Sequence, residues 1–310
     1  MEVKEINYRN FGNCVQISNG IIDVVVTIEY GPRIIRFGFC GKENVLYEDT
    51  GRKLKLPPSN ASGANGSEEE TYYSYGGHRL LLGSEHPAAI PDRDNDPVIY
   101  SLLPGCVRFL RPKQKKTKLQ AGFEIVMGED AADIMVVHTA KNCSKEIQSC
   151  SLWPVTMIGG SGTLILPQNT GTADLLHPNR VLTFWPGTDI RDKRLFCGNR
   201  YLTVLRESDS EKPLKIGCND VLGWMAFVGR HYTFMKQFVH NPQAVYPDFG
   251  TSCELLVQGD FTEMQTLSPL YRIEPGQGIK YVENLSLFQT LNSVNSKDED
   301  GIARYIKNLQ

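Results

Sequence analysis

Long apolar runs are missing from this 310-residue chain, and a membrane-spanning helix needs about 20 consecutive apolar residues. The opening residues, MEVKEINYRNFGN, also lack the apolar stretch of a secretory leader. Charge of one sign is equally scarce: 33 Lys and Arg against 35 Asp and Glu leave a net −2. That balance implies neither a nucleic acid nor an anionic membrane surface as partner. The eight cysteines, at 14, 40, 106, 143, 150, 197, 218 and 253, include no C-x-x-C pair. Zinc ribbons and disulfide frameworks thereby lose their main support, and reduced thiols in the cytoplasm are the expectation. No repeat of fixed period occurs, and no G-x-S-x-G elbow points to Ser-His-Asp hydrolysis. The glycine-rich stretch 159–166 is not followed by Gly-Lys-Ser/Thr, so it is no phosphate loop.

Helical spacing is nearly absent. Only the tail shows it, with Ile302, Tyr305, Ile306 and Leu309 at i, i+3, i+4 and i+7 and Ser296 or Asp298 placed to cap. What the chain has instead is short runs rich in Val, Ile and aromatics, punctuated by turn residues. GIIDVVVTIEYGPRIIRFGF, from Gly20, reads as a hairpin split by a Gly-Pro turn, with Arg33 the residue in it best placed to reach a site. Residues 107–110 and 118–126 read as two strands joined by the basic turn RPKQKK, whose lysines are expected in solvent. Further strands are expected at 133–140, 148–158, 201–206, 214–217, 223–229, 232–238, 251–258, 264–267 and 280–289. Trp153-Pro154 within the second of these marks an edge or a bulge, because proline cannot donate to a ladder. His138, in the apolar DIMVVHTA, reads as a core histidine. Lys215 and Lys236 lie within strands, where a lysine ordinarily points to solvent unless it lines a pocket. Closely spaced strands without βα alternation imply an all-β sandwich of large antiparallel sheets, one domain spanning 1–310, closed by one short C-terminal helix.

Polar residues gather in two places. YGGHRLLLGSEHP (75–87) carries His78, Arg79, Glu85 and His86 around the short apolar run Leu80-Leu81-Leu82. Such a run makes a buried strand with Gly77-His78-Arg79 at one end and Glu85-His86-Pro87 at the other; glycines there permit close backbone approach. The second cluster, LLHPNRVLTFWPGTDIRDKR from Leu175, combines His177, Arg180, Trp185 and Asp189 with little periodicity. Aromatic faces beside Asp, Asn and Arg suit a sugar, whose C–H face stacks on a ring while polar groups take its hydroxyls. The Gly-, Ser- and Glu-rich stretch 51–71 reads as a long loop ending at the first cluster, either a flap over it or inert. Asp92, Asp94 and Asp96 alternate like the start of a calcium loop but lack its glycine and distal glutamate, so a solvated acidic turn is expected.

The hairpin ending YGPRI, the GGHR segment, an Asn-containing turn before a mid-chain strand, and the late YPDFGTSCELL followed by LSPLYRIEPGQGIKYVENLSL resemble the galactose mutarotase-like superfamily, the β-supersandwich of the aldose 1-epimerases. GGHRLLLGSEHP, WPGTDIRDKR and PLKIG look like a branch apart from the epimerases proper. The resemblance implies a small-molecule carbohydrate as partner and acid–base chemistry with neither metal nor cofactor. It makes Glu254 the base and His78 similar to the first of two active-site histidines. The family's general-acid histidine maps to 151–154, where this chain has none, leaving His78, His86 or His177 for that role. Arg79, Glu85, Trp153, His177, Arg180, Trp185, Asp189, Lys215, Tyr246 and Asp248 are the implied substrate contacts. Segments near 78, 185 and 254 should then share one concave face. Two functions follow: an aldose 1-epimerase-like isomerase, or a non-catalytic sugar binder that has lost its acid.

Overall fold

Side chains alternate along a strand, so a period of two in burial tells which face meets the core. In Asp133–Asn142 the buried residues are Ile134, Val136, His138, Ala140 and Asn142, every second one. A computed structural model describes residues 1–56, 72–83, 94–171, 176–207, 212–290 and 292–309. In chain order the strands are β1 (Glu2–Asn7), β2 (Asn13–Ser18), β3 (Ile22–Thr27), β4 (Arg33–Phe39), β5 (Lys55–Leu56), β6 (Tyr72–Tyr73), β7 (His78–Gly83) and β8 (Ile99–Leu103). They continue as β9 (Cys106–Leu110), β10 (Leu119–Met127), β11 (Asp133–Asn142), β12 (Gln148–Gly159), β13 (Gly162–Pro167), β14 (Leu182–Phe184), β15 (Leu195–Cys197) and β16 (Tyr201–Arg206). The last are β17 (Leu214–Cys218), β18 (Trp224–Gly229), β19 (Tyr232–Phe238), β20 (Cys253–Gln258), β21 (Phe261–Thr266), β22 (Tyr271–Ile273) and β23 (Gly278–Gln289).

Two large antiparallel sheets result. One runs β1-β2-β3-β4-β7-β12-β21-β20-β17-β14, with β22 beside β12; the other runs β15-β16-β13-β18-β19-β23-β11-β10-β9-β8. The core lies between them, built from Leu80, Leu152, Ile216 and Leu255 on one side and Phe123, Val136, Phe234 and Leu285 on the other. No helix among the described residues is long and apolar enough to cross a membrane. The C-terminal helix, Glu299–Lys307, is capped by Asp298, whose side chain accepts from Gly301 N at 2.9 Å, and buries Ile302 and Ile306.

The hairpin expected from Gly20 is β3–β4, and the basic turn joins β9 to β10 with Lys113, Lys115 and Lys116 exposed. The strands β1, β2 and β8 carry weak apolar patterns and were not foreseen. Pro154 corrects a second expectation. Its strand is interior, between β7 and β21, and the proline is accommodated where pairing with β22 has ended at Cys150 and pairing with β21 has not begun until Val155. The calcium-like Asp94 is not solvated: it is buried and accepts from Arg33 Nη2 at 2.7 Å. Gly76 and Gly77 take φ of 88° and 75°, and a side chain at either would strike the backbone of Tyr47 or Ile34.

A charged network lies inside this core. Lys236, expected in solvent, is buried; its Nζ stands 3.1 Å from Glu283 Oε1 and donates to the carbonyls of Pro154 and Met264 and to Thr156 Oγ1. His138 Nε2 lies 3.0 Å from Glu283 Oε2, and Thr266 Oγ1 donates to Glu283. Burial alone would raise the Glu283 pKa, but the Lys236 ammonium and His138 prevail and hold it at about 2. Its ionised form therefore favours folding above the ordinary value of 4.5, and that contribution is lost as pH falls toward about 2. Because an uncompensated buried charge is expensive, Lys236→Met is expected to lower the unfolding free energy by about 3–5 kcal/mol, and K236M/E283Q to recover part of that loss. Denaturant titration checks both; a single variant as stable as the parent contradicts the pairing.

Candidate functional site

The strands that send one set of side chains into the core send the alternate set outward, and in the first sheet this outer set joins polar groups to an apolar patch of Val155, Met157, Phe261 and Trp153. Register aligns it into a row. Arg33 on β4 faces Arg79 on β7, Arg79 faces Val155 on β12, and Val155 faces Gln265 on β21. Gln265 faces Glu254 on β20, Glu254 faces Gly217 on β17, and Gly217 faces Thr183 on β14. One step along, Glu263 on β21 faces Leu256, which faces Lys215 on β17. One step the other way, Trp153 stands opposite Leu81.

Glu254 is the chemical centre of this row. It is 0% exposed, and burial pushes its pKa up to about 7; Lys215 pulls it down and the nearby Asp248 carboxyl pushes it up further. Lys215 Nζ lies 2.7 Å from Glu254 Oε2, an ion pair by distance rather than an aligned hydrogen bond. The same ammonium sits 4.1 Å from the ring centre of Trp185 and 5.6 Å from that of Trp153. Gly217 makes room for this packing: a Cβ there would come within 2.6 Å of Thr183 Oγ1 and 3.1 Å of the Trp185 ring. The loop carrying Trp185 is pinned by Thr188, whose hydroxyl donates to Lys215 O at 2.9 Å.

Trp153 and Trp185 are half-buried. Trp153 Nε1 donates to Gln265 Oε1 at 3.0 Å, and Gln265 Nε2 donates to Glu263 Oε2 at 2.6 Å. Burial raises the Glu263 pKa against the pull of Arg79, Lys215 and Gln265. At the rim, Asp248, Phe249 and Gly250 hold left-handed backbone, φ 50°, 61° and 93°. Thr251 fixes that turn through its N–H to Pro247 O at 3.1 Å and its hydroxyl to Asp248 O at 2.7 Å. Two non-glycine residues held there cost roughly 1–3 kcal/mol each, and the turn brings Asp248 to Glu254 while leaving Phe249 in solvent.

Arg79, Trp153, Trp185, Lys215, Asp248 and Glu254 are thus brought onto one face. His78 does not. It belongs to the inward set of β7, is 0% exposed, and its Nδ1 pairs with Thr156 Oγ1 at 2.8 Å. Burial, then His138 and Lys236, drive its pKa well below the ordinary value. The sheet itself separates it from Glu254, so the neighbouring Arg79 represents that segment on the face. Tyr246 is buried and stacks on His240 at 4.7 Å, its hydroxyl accepting from Asn241 N at 2.7 Å. Asp189 is exposed and turns back on Arg191, whose backbone N–H and guanidinium lower its pKa. Arg180 is exposed and donates to Asn199 O at 3.3 Å, and His177 is exposed in the same loop. Glu85 and His86, like most of 51–71, fall outside the described residues. Glu263 and Gln265 were missed; the period-two polar pair in FTEMQT was their signal.

Metal chemistry finds one trio of ligands among the described residues, His78, His138 and Glu283, with ligand atoms within 4.8 Å of one another. The one carboxylate of the trio is already paired with a cation, the Lys236 ammonium. A divalent ion beside it would face one carboxylate in a dry core, so these residues do not fit a metal.

No family model matches the sequence, and no curated protein matches it. Solved structures do. A galactose mutarotase-like protein from Lactobacillus casei superposes with a TM-score of 0.55 at 10% identity, over 89% of this chain and 100% of that one. A candidate aldose 1-epimerase from Klebsiella pneumoniae gives 0.57 at 12% identity, over 99% of this chain and 86% of that one. A TPR-domain containing protein from Parabacteroides distasonis gives 0.61 at 14% identity over 92% of this chain, which spans 48% of that longer protein. Likeness at such identity is one of fold.

Since Lys215 is the group that opposes burial at Glu254, Lys215→Met is expected to move the Glu254 pKa above about 7. Carboxyl-carbon NMR of glutamate-labelled protein reads this directly; a value that stays or falls contradicts the ion pair.

Proposed function

We propose that this chain, a galactose mutarotase-like sandwich, acts on the anomeric centre of a carbohydrate, interconverting its α and β forms with Glu254 as base. The observation that carries the reading is Glu254 itself, a buried carboxyl on the outer face of the first sheet with its pKa raised to about 7. A carboxylate poised near neutrality takes a hydroxyl proton and returns it with little driving force lost in either direction. Trp153 and Trp185 offer ring surface for the C–H side of a sugar, and Arg79, Lys215 and Gln265 offer donors for its oxygens. The names of similar solved structures, a galactose mutarotase-like protein and a candidate aldose 1-epimerase, point the same way.

In that reaction Glu254 takes the proton of the anomeric hydroxyl. The C1–O5 bond breaks with its electron pair moving to O5, which is protonated as the aldehyde forms. Rotation about C1–C2 and reclosure, with both protons retracing their paths, yield the other anomer and restore the protein.

The second reading is a binder without catalysis. What favours it is the 2.7 Å pairing of Lys215 with Glu254 and the lack of a histidine on the described part of this face. Exchange NMR on glucose, galactose, xylose and glucuronate separates the two. The isomerase reading expects faster α–β exchange with the wild-type chain and a loss of about 10²–10⁴-fold in Glu254→Gln with sugar binding retained. Saturable binding without acceleration selects the binder, and neither binding nor acceleration ends both readings.

A further inference from the structure

We infer that Glu263 is the proton donor to the ring oxygen, so that two carboxyls, and no histidine, perform the acid–base work on this face. The inference rests on the isomerase reading and supplies the partner that Glu254 needs. Four observations bear on it.

Position comes first. Glu254 pairs with Gln265 across β20 and β21, and Glu263 is two residues from Gln265 on the same face. Such diagonal neighbours have backbones about 7–8 Å apart, so the two carboxyls rise from adjacent strands on one face. A sugar lying across β20 and β21 would then have Glu254 toward O1 at one end of the C1–O5 bond and Glu263 toward O5 at the other.

Orientation is the second observation. The indole N–H of Trp153 can only donate, so its bond to Gln265 Oε1 turns the amide nitrogen toward Glu263 Oε2. With Oε2 held in that way, the acid proton belongs on Oε1. The relay also ties the donor to the aromatic platform on which the sugar would rest.

Charge is the third. The groups around Glu263 are Arg79 from β7, Lys215 from β17 and Gln265 from its own strand, all favouring the carboxylate, yet burial outweighs them and raises its pKa. The working form of the proposal has Glu254 ionised and Glu263 protonated, one proton between two carboxyls.

The fourth concerns the competitor. Lys215 also carries protons on this face, but its ammonium lies 2.7 Å from Glu254 Oε2. An acid in contact with the base cannot also stand on the far side of the anomeric carbon.

The proton count closes. Glu254 carboxylate accepts the O1 proton as Glu263–H gives its proton to O5 and the C1–O5 bond breaks. After rotation about C1–C2, Glu263 carboxylate takes the O5 proton back while protonated Glu254 returns its own to the former carbonyl oxygen as the ring recloses.

The test uses the full chain as wild type, Glu263→Gln and Glu263→Asp, with exchange NMR from about pH 5 to about pH 9 on the aldose the wild type accelerates most. A single-proton pair gives a bell-shaped rate profile. Glu263→Gln is expected to lower kcat by about 10²–10⁴-fold with KM changed less than about threefold, and to lose the alkaline descending limb while keeping the ascending one. Glu263→Asp retains an acid on a shorter arm and is expected to keep partial activity with the alkaline limb moved to lower pH. If Glu263→Gln fails to fold, that movement in Glu263→Asp decides. An unchanged kcat with the alkaline limb intact in Glu263→Gln overturns the inference and leaves the isomerase reading standing. A wild type that accelerates no aldose overturns both.

Discussion

In the sheet that carries β7, β12, β21, β20 and β17, both faces of the strands hold charge, and the spacing of two residues keeps the two sets apart. Inward go His78, Thr156, Thr266 and Cys253; outward go Arg79, Val155, Gln265 and Glu254, each the immediate chain neighbour of the first. A slip of one residue in any of these strands would exchange the sets. The inward network of Lys236, Glu283 and His138 makes that exchange costly. It bonds across both sheets to backbone carbonyls of β12 and β21, so a shifted strand strands a buried charge. The geometry of the outer row is in this sense underwritten from behind.

The outer row gathers groups whose preferences conflict. Burial favours a neutral Glu254, Lys215 favours an ionised one, and the result lies near neutrality. The same lysine lies over the Trp185 ring, so under the proposed reading a sugar stacking there would displace it and alter the electrostatics of Glu254. A lysine suits that place because its charge rides on a four-carbon stem that can move without disturbing the strand beneath.

Much of the strand pattern was legible. Val- and Ile-rich runs separated by Gly, Pro and Asn are strong local signals, and β3–β4, β9–β10 and β11 came from them, while the C-terminal helix came from helical spacing and its cap. Edge strands such as β1 and β8 bury little and leave a weaker trace. At the site, residue type was readable and direction was not. His78 and Arg79 are adjacent letters with equal claims to a polar site, and Lys215 and Lys236 look alike in their strands. Glu263 and Gln265 were overlooked because two polar residues in a short strand ordinarily mark a solvent face.

By itself, then, the sequence determined the class of structure: many short strands, one terminal helix, and a chain whose charged and aromatic residues cluster in a few segments. Those properties follow from local propensity and from spacing within a dozen residues. Which members of the clusters face one another was decided only by tertiary structure, because it depends on strand order and register between segments as distant as 79, 155, 217, 254 and 265. Cross-sheet pairing set the rest, leaving one histidine neutral in the core and bringing one buried glutamate to about 7 on the outer face of the same sheet.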